Sequence, residues 1–208
     1  SNRVSILGAL FPGNNHGLNP QEDTIADVLK KNGYTSGIFG KWHLGWQKKF
    51  LPLQQGFDEY LGLPYSNDRW PVGFDGVPAT ESGRAKHKLK YPPLPLIDGN
   101  EKIAEIRTLE DQDMLTTRYT ERAVKFIEKN KDKPFFLYFS TGATHAPHHV
   151  PKEWSDKYRG RFDEGWDKLR EETFARQKEL GVIPMSAELT PRHEQIPAWD
   201  EMDERMKP

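Results

Sequence analysis

The sequence predicts an α/β fold with parallel strands, and three observations predict it. A helical stretch is followed by a strand-like stretch twice, the order that βαβ units produce. The second of these strands, Phe135-Phe136-Leu137-Tyr138-Phe139-Ser140, is an uninterrupted run of the kind that parallel sheets bury on both faces. The first runs into Gly40-Lys41-Trp42-His43-Leu44-Gly45. That glycine-bracketed turn presents a lysine and a histidine just past a strand's carboxyl end, where open α/β sheets gather their ligands.

The elements follow in order. Residues 1–19 are rich in Gly and Asn, with the turn cluster Pro12-Gly13-Asn14-Asn15, and read as loop with one short apolar turn at 4–10. Thr24 is placed to cap a helix, with Asp27 three residues on as a variant capping box. Ile25, Val28 and Leu29 share a face of that helix, and Gly33 ends it. Residues 34–39 are the first strand. Residues 46–109 hold many of the 16 prolines, including Tyr91-Pro92-Pro93-Leu94-Pro95-Leu96, and read as mostly irregular. Phe50, Phe57, Tyr60, Tyr65, Trp70 and Phe74 mark that segment as an ordered, substrate-side one rather than a disordered linker. Within it, residues 80–90 are small and basic, without apolar anchors, and read as its most mobile piece.

Residues 109–130 are the strongest helix. Leu115, Tyr119, Ala123 and Phe126-Ile127 recur at helical spacing. Asp111 and Asp113 stand near its start and Lys129 and Lys131 near its end, as the helix dipole prefers. The strand 135–140 follows. Residues 151–199 read as a helical and loop insertion, with a charged amphipathic helix at 163–180 stopped by Gly181-Val182-Ile183-Pro184. Residues 200–207 read as the first turns of another helix.

Composition narrows the function. The chain has 208 residues, a formal net charge of −1 and a mean hydropathy of −0.83. A near-neutral charge gives no global field for nucleic acid or an anionic membrane surface. No apolar run approaches the ~20 residues of a membrane span. The sequence contains no cysteine, so neither disulfides nor thiolate metal sites can form within it.

The stretch from Gly33 to Gly45, Gly-Tyr-Thr-Ser-Gly-Ile-Phe-Gly-Lys-Trp-His-Leu-Gly, resembles the second signature of the formylglycine-dependent sulfatases, arylsulfatase type. Further blocks are similar: residues 24–30 to the helix preceding the signature, Gln55-Gly56-Phe57-Asp58-Glu59-Tyr60 with Pro64-Tyr65-Ser66-Asn67-Asp68 to the next block, and Pro134-Phe135-Phe136-Leu137-Tyr138 with Thr144-His145-Ala146-Pro147 to a third. Residues 145–184 look more like a second, bacterial arylsulfatase branch. The resemblance spans most of the chain. It implies an α/β/α sandwich of the alkaline-phosphatase superfamily, of which residues 1–208 would be an internal fragment of one catalytic domain. It implies hydrolysis of aryl or carbohydrate sulfate esters, a bound Ca²⁺ and a formylglycine nucleophile, both supplied from outside this stretch. By the same resemblance the full protein would be periplasmic, secreted or lysosomal.

The resemblance also assigns roles. Lys41 would contact the sulfate, a task that suits a compact ammonium; on spacing alone it reads as a surface lysine in a turn. His43 would hydrogen-bond the formylglycine hydrate, against a structural role in fixing the turn. Ser66 would line the sulfate pocket, against a turn-capping role. His145 would stand near the ester oxygen as general acid. His148 and His149 lie close by, but the family's metal is a hard cation held by oxygen ligands, so no metal ligand is expected among these residues. Two rival functions stay open: a phosphate mono- or diester hydrolase of the same superfamily, and a non-catalytic, anion-binding relative.

Overall fold

The computed structural model describes residues 4, 6–146, 148 and 150–207, except the Met206 side chain. The chain divides into two compact units, Ser1–Pro151 and Lys152–Pro208.

The first unit is a five-stranded sheet in the order β4-β3-β2-β1-β5. Its strands are β1 (Thr35–Lys41), β2 (Glu59–Leu63), β3 (Leu94–Asp98), β4 (Glu101–Ile106) and β5 (Phe135–Ser140). β1 is parallel to both neighbours, β2 and β5, whereas β2–β3 and β3–β4 are antiparallel. Helix α1 (Ile25–Lys31) precedes β1, and helix α2 (Leu109–Asn130) precedes β5.

Alternation along the strands builds a core on each face. Phe39, Leu61, Leu94 and Leu96 join Leu115, Tyr119, Ala123 and Phe126 of α2 in one cluster. The intervening Ile38, Tyr60 and Ile97 join Ala26 of α1, Leu18, Trp42, Leu51 and Phe57 in the other. Successive strand side chains point to opposite faces, so helix, sheet and helix stack as three layers. The first helix begins with the predicted cap, and the second with a cap the sequence reading did not name. Thr24 and Asp27 form a reciprocal capping box on α1, and Thr108 and Asp111 form one on α2. Arg122 of α2 forks onto both carboxylate oxygens of Asp98 at 3.0 and 3.2 Å, strapping the helix to the end of β3.

Three expectations are corrected. The segment 46–109 is irregular over most of its length, but β2, β3 and β4, which the sequence reading did not place, lie within it. The signal for the β3–β4 hairpin is Gly99-Asn100, a two-residue loop with Gly99 at φ 60°; the prolines before it mask this signal. Residues 80–90 are anchored: a short 3₁₀ helix at Lys86–Lys90 buries Lys88 to 2% exposure, a polar anchor rather than an apolar one. β5 is not buried on both faces. As the last strand of the sheet it pairs, among the described residues, with β1 alone, and Tyr138 and Phe139 are 48% and 41% exposed. Residues 200–207 form two 3₁₀ turns, Trp199–Glu201 and Glu204–Met206, instead of an α-helix.

The second unit contains a four-residue helix, α3 (Lys152–Ser155), and the expected charged helix, α4 (Gly165–Glu179). Trp199 packs edge-on against Trp166 at 4.8 Å, and Asp167 accepts from the Trp199 backbone and from Arg192, both at 2.9 Å. Among the described residues no helix is long and apolar enough to cross a membrane.

Candidate active site

Three adjacent parallel strands, β2, β1 and β5, end side by side, and each hands the chain into a turn that carries a predicted site residue. Lys41 is the last residue of β1 and His43 follows in the turn. Ser66 follows β2 by three residues, and His145 lies five residues past β5. This is the carboxyl edge at which ligands of open α/β sheets collect.

Glycine permits the strand ends to close up. A Cβ on Gly40 would overlap the Ser140 carbonyl of β5, and a Cβ on Gly62 would overlap the Gly40 carbonyl of β1. Gly40 also sits at φ 127°, a region side chains rarely adopt. Beyond the strands, the Trp42 and His43 amides donate to the Leu63 and Pro64 carbonyls at 2.9 and 3.0 Å, tying the first turn to the exit of β2. His43 and Thr144 are the two non-glycine residues with positive φ among the described residues, at 64° and 66°. Strained backbone of this kind concentrates where function over-determines geometry, and here it falls on the turns that bear the two histidines.

Ser66 and His145 meet. The Ser66 hydroxyl lies 3.1 Å from His145 Nε2, across 79 residues of sequence. His145 Nδ1 lies 2.6 Å from the Ala146 carbonyl. A carbonyl only accepts, so Nδ1 carries the proton; neutral His145 then presents a lone pair at Nε2, to which Ser66 donates. The same reasoning fixes His43. Its Nε2 donates to the Leu10 carbonyl at 3.0 Å, leaving Nδ1 as the lone pair. Burial pushes the His43 pKa below its ordinary value. The Leu10 contact and Asp68 oppose the shift, and Lys41 and Arg69 reinforce it. His43 is therefore held neutral. The Lys41 ammonium has no hydrogen bond or ion pair among the described residues and is half-buried.

Several residues around this edge escape sequence reasoning. Asn67 and Gln112 exchange two hydrogen bonds: Asn67 Nδ2 donates to Gln112 Oε1, and Gln112 Nε2 donates to the Asn67 carbonyl, each at 3.0 Å. Both are buried, and the pair docks the Ser66 turn onto α2. Lys88 Nζ donates to the Asp68 carbonyl at 2.7 Å. Gln112 and Lys88 carry no local signal, since each works through a partner at least twenty residues away in sequence.

His149 lies outside the described residues, as does Pro147. Among the described residues no group of three or more His, Asp or Glu side chains could hold a metal ion.

A family model described as Sulfatase matches residues 3–205. The chain belongs to the sulfatase family. It is 34% identical over 155 residues to the N-acetylgalactosamine-6-sulfatase of Mus musculus, covering 70% of this chain and 27% of that protein. It is 33% identical over 158 residues to human arylsulfatase A, covering 72% of this chain and 30% of that protein. Among solved structures, PsFucS1 sulfatase from Pseudoalteromonas sp. superposes with a TM-score of 0.55 at 26% identity, covering 69% of this chain and 31% of that one. The chain thus spans under a third of the length of these relatives, and its three layers belong to the α/β/α architecture that sulfatases share with the alkaline-phosphatase superfamily. In this sulfatase chain Lys41 and His43 of the signature and Ser66 and His145 of two further blocks are drawn to one sheet edge.

Proposed function

We propose that this chain supplies the sulfate-binding and leaving-group side of a sulfuric ester hydrolase acting on aryl or carbohydrate sulfates. The observation that carries the reading is the convergence of Lys41, His43, Ser66 and His145 on the ends of three adjacent parallel strands, with Ser66 and His145 in contact. The names of the relatives support both substrate classes, one reading N-acetylgalactosamine-6-sulfatase and another arylsulfatase A.

On this reading a formylglycine hydrate, from outside these 208 residues, supplies the attacking oxygen, and calcium is bound outside them too. Lys41, a half-buried cation without a partner here, faces the charge that builds on the sulfuryl oxygens. His43, kept neutral by burial and by Lys41 and Arg69, offers Nδ1 as the acceptor for a proton leaving the nucleophile. Ser66 donates to a sulfuryl oxygen when substrate displaces it from His145. His145, once protonated, keeps Nδ1–H on Ala146 and turns Nε2–H to the ester oxygen that must leave.

The test is kcat/KM of the full-length protein carrying this sequence, for Lys41→Ala and His145→Ala, on a nitrophenyl sulfate and on a sugar sulfate. Lys41→Ala should cost about 10²–10³ on both, in line with loss of a preorganised charge stabiliser. His145→Ala should cost roughly 10²–10⁴ on the sugar sulfate and far less on nitrophenyl sulfate, whose phenolate leaves without a proton. Equal damage to both substrates would remove the general-acid role. Turnover of a phosphate monoester in preference to the sulfate would replace the reaction class.

A further inference from the structure

We infer that Arg69 reads a second anionic group on the substrate, a carboxylate or a further sulfate carried beside the ester that is cleaved. The inference rests on the sulfate-ester reading and deepens it.

Arg69 closes the turn that Ser66 opens, its amide donating to the Ser66 carbonyl at 3.0 Å. Its guanidinium is held from several sides. Nη1 donates to the Tyr91 hydroxyl at 2.8 Å, and the group lies 4.7 Å from the Phe11 ring centre and 5.6 Å from that of Tyr91. Nη2 has no hydrogen bond or ion pair among the described residues, and the side chain keeps 27% of its exposure. A free surface arginine loses rotamer entropy when it binds; this one has already lost it, and its planar fork has donors to spare.

Its nearest carboxylate does not use it up. Arg69 Nε stands 3.5 Å from Asp68 Oδ1, too far for a good hydrogen bond, and that oxygen is buried with no hydrogen-bond partner among the described residues. Lys88, buried and with its ammonium 4.2 Å from the Phe74 ring centre, already crowds the same aspartate. Lys41 and Arg69 both act on neutral His43, against Asp68 alone, while Lys88 packs on the Asp68 backbone. A sulfate monoester brings one negative charge, which Lys41 can meet, so the Arg69 donors remain for a second anion.

Position agrees with charge. Phe11, on which Arg69 lies, lines an open cleft with Leu10, Trp46 and Tyr65, and the Leu10 carbonyl is the one His43 holds. Arg69 thus lies beside both the His43 turn and a shallow, aromatic-lined hollow.

The experiment compares three ligands in the full-length protein: N-acetylgalactosamine 6-sulfate, its 4,6-disulfate, and a 6-sulfated disaccharide containing a uronate. Both kcat/KM and calorimetric Kd are measured for wild type, Arg69→Gln and Arg69→Lys. Wild type should favour at least one doubly anionic ligand over the monosulfate by about tenfold or more, and the two arms tell sulfate from carboxylate. Arg69→Gln should bring that ratio close to one, mainly through KM and Kd. Arg69→Lys should recover only part of it, because a single ammonium lacks the paired donors. A wild-type ratio near one overturns the inference. So does a ratio that survives in Arg69→Gln, or in Arg69→Lys where the Gln variant does not fold, since Arg69 is then only a strut between Phe11 and Tyr91. Arg69-dependent binding without turnover keeps the inference and removes the hydrolase reading; turnover with an Arg69-independent ratio does the reverse.

Discussion

His43 Nε2 is committed to the Leu10 carbonyl, and burial weakens the ring's hold on a second proton. That has a measurable effect on stability. The ordinary histidine pKa is 6.5, and in the fold it is lower. Between those two values the unfolded chain binds a proton that the folded chain refuses, so stability falls as pH drops below about 6.5 and is retained in full above it. His43→Asn suits the left-handed backbone at φ 64° and cannot titrate. Its melting temperature should fall less than that of wild type between pH 7.5 and pH 5.5; parallel slopes for the two proteins would show that His43 charges freely. At this scale the site was only partly legible beforehand. Lys41 and His43 stand in one contiguous signature, and Ser66 and His145 in recognisable blocks. Arg69, Lys88 and Gln112 act through partners in other segments, and a side chain whose meaning lies in a distant carbonyl or ring leaves no local pattern.

Among the elements, α2 does more than cover the sheet. Its first turns carry Gln112, whose amide satisfies the buried turn holding Ser66. Gln112→Leu leaves the buried Asn67 amide and carbonyl without these partners, at a cost of about 1–3 kcal/mol for a stranded buried group. The urea midpoint should fall accordingly, and sulfate affinity should weaken with it because Ser66 is released. Unchanged affinity would mean that the turn is held by Lys88 and the Arg69–Tyr91 contact alone. A sharper effect is expected at Gly62. Gly62→Ala drives a methyl into the Gly40 carbonyl, backbone against backbone, and should prevent the β1–β2 register from forming; a near-normal thermal melt would refute the close approach. Helix α2 was legible because apolar stripe and terminal charges agree over its 22 residues. The β3–β4 hairpin was not, since β3 contains Pro95 and β4 begins Glu101-Lys102, which reads as surface.

For the molecule as a whole, the sheet ends on β5, and that end is open. Tyr138 and Phe139 are exposed beside the unpaired edge, which is a template for another strand. The isolated 208-residue chain should self-associate, and Tyr138→Lys should reduce the association seen by sedimentation velocity. A monodisperse wild-type monomer with a sharp melt would contradict this. The same isolated chain should turn over no aryl sulfate above a mock preparation.

The contact between Ser66 and His145 also has a timetable. The two residues are 79 positions apart, so at about 5–20 residues per second a ribosome needs about 4 to 16 s between making one and making the other. Through that interval the β1–β2 pair can form while its other flank waits for β5. Nascent chains therefore pass through seconds in which Lys41 and His43 are in place, His145 does not yet exist, and the uncovered side of β1 can accept whichever strand arrives first.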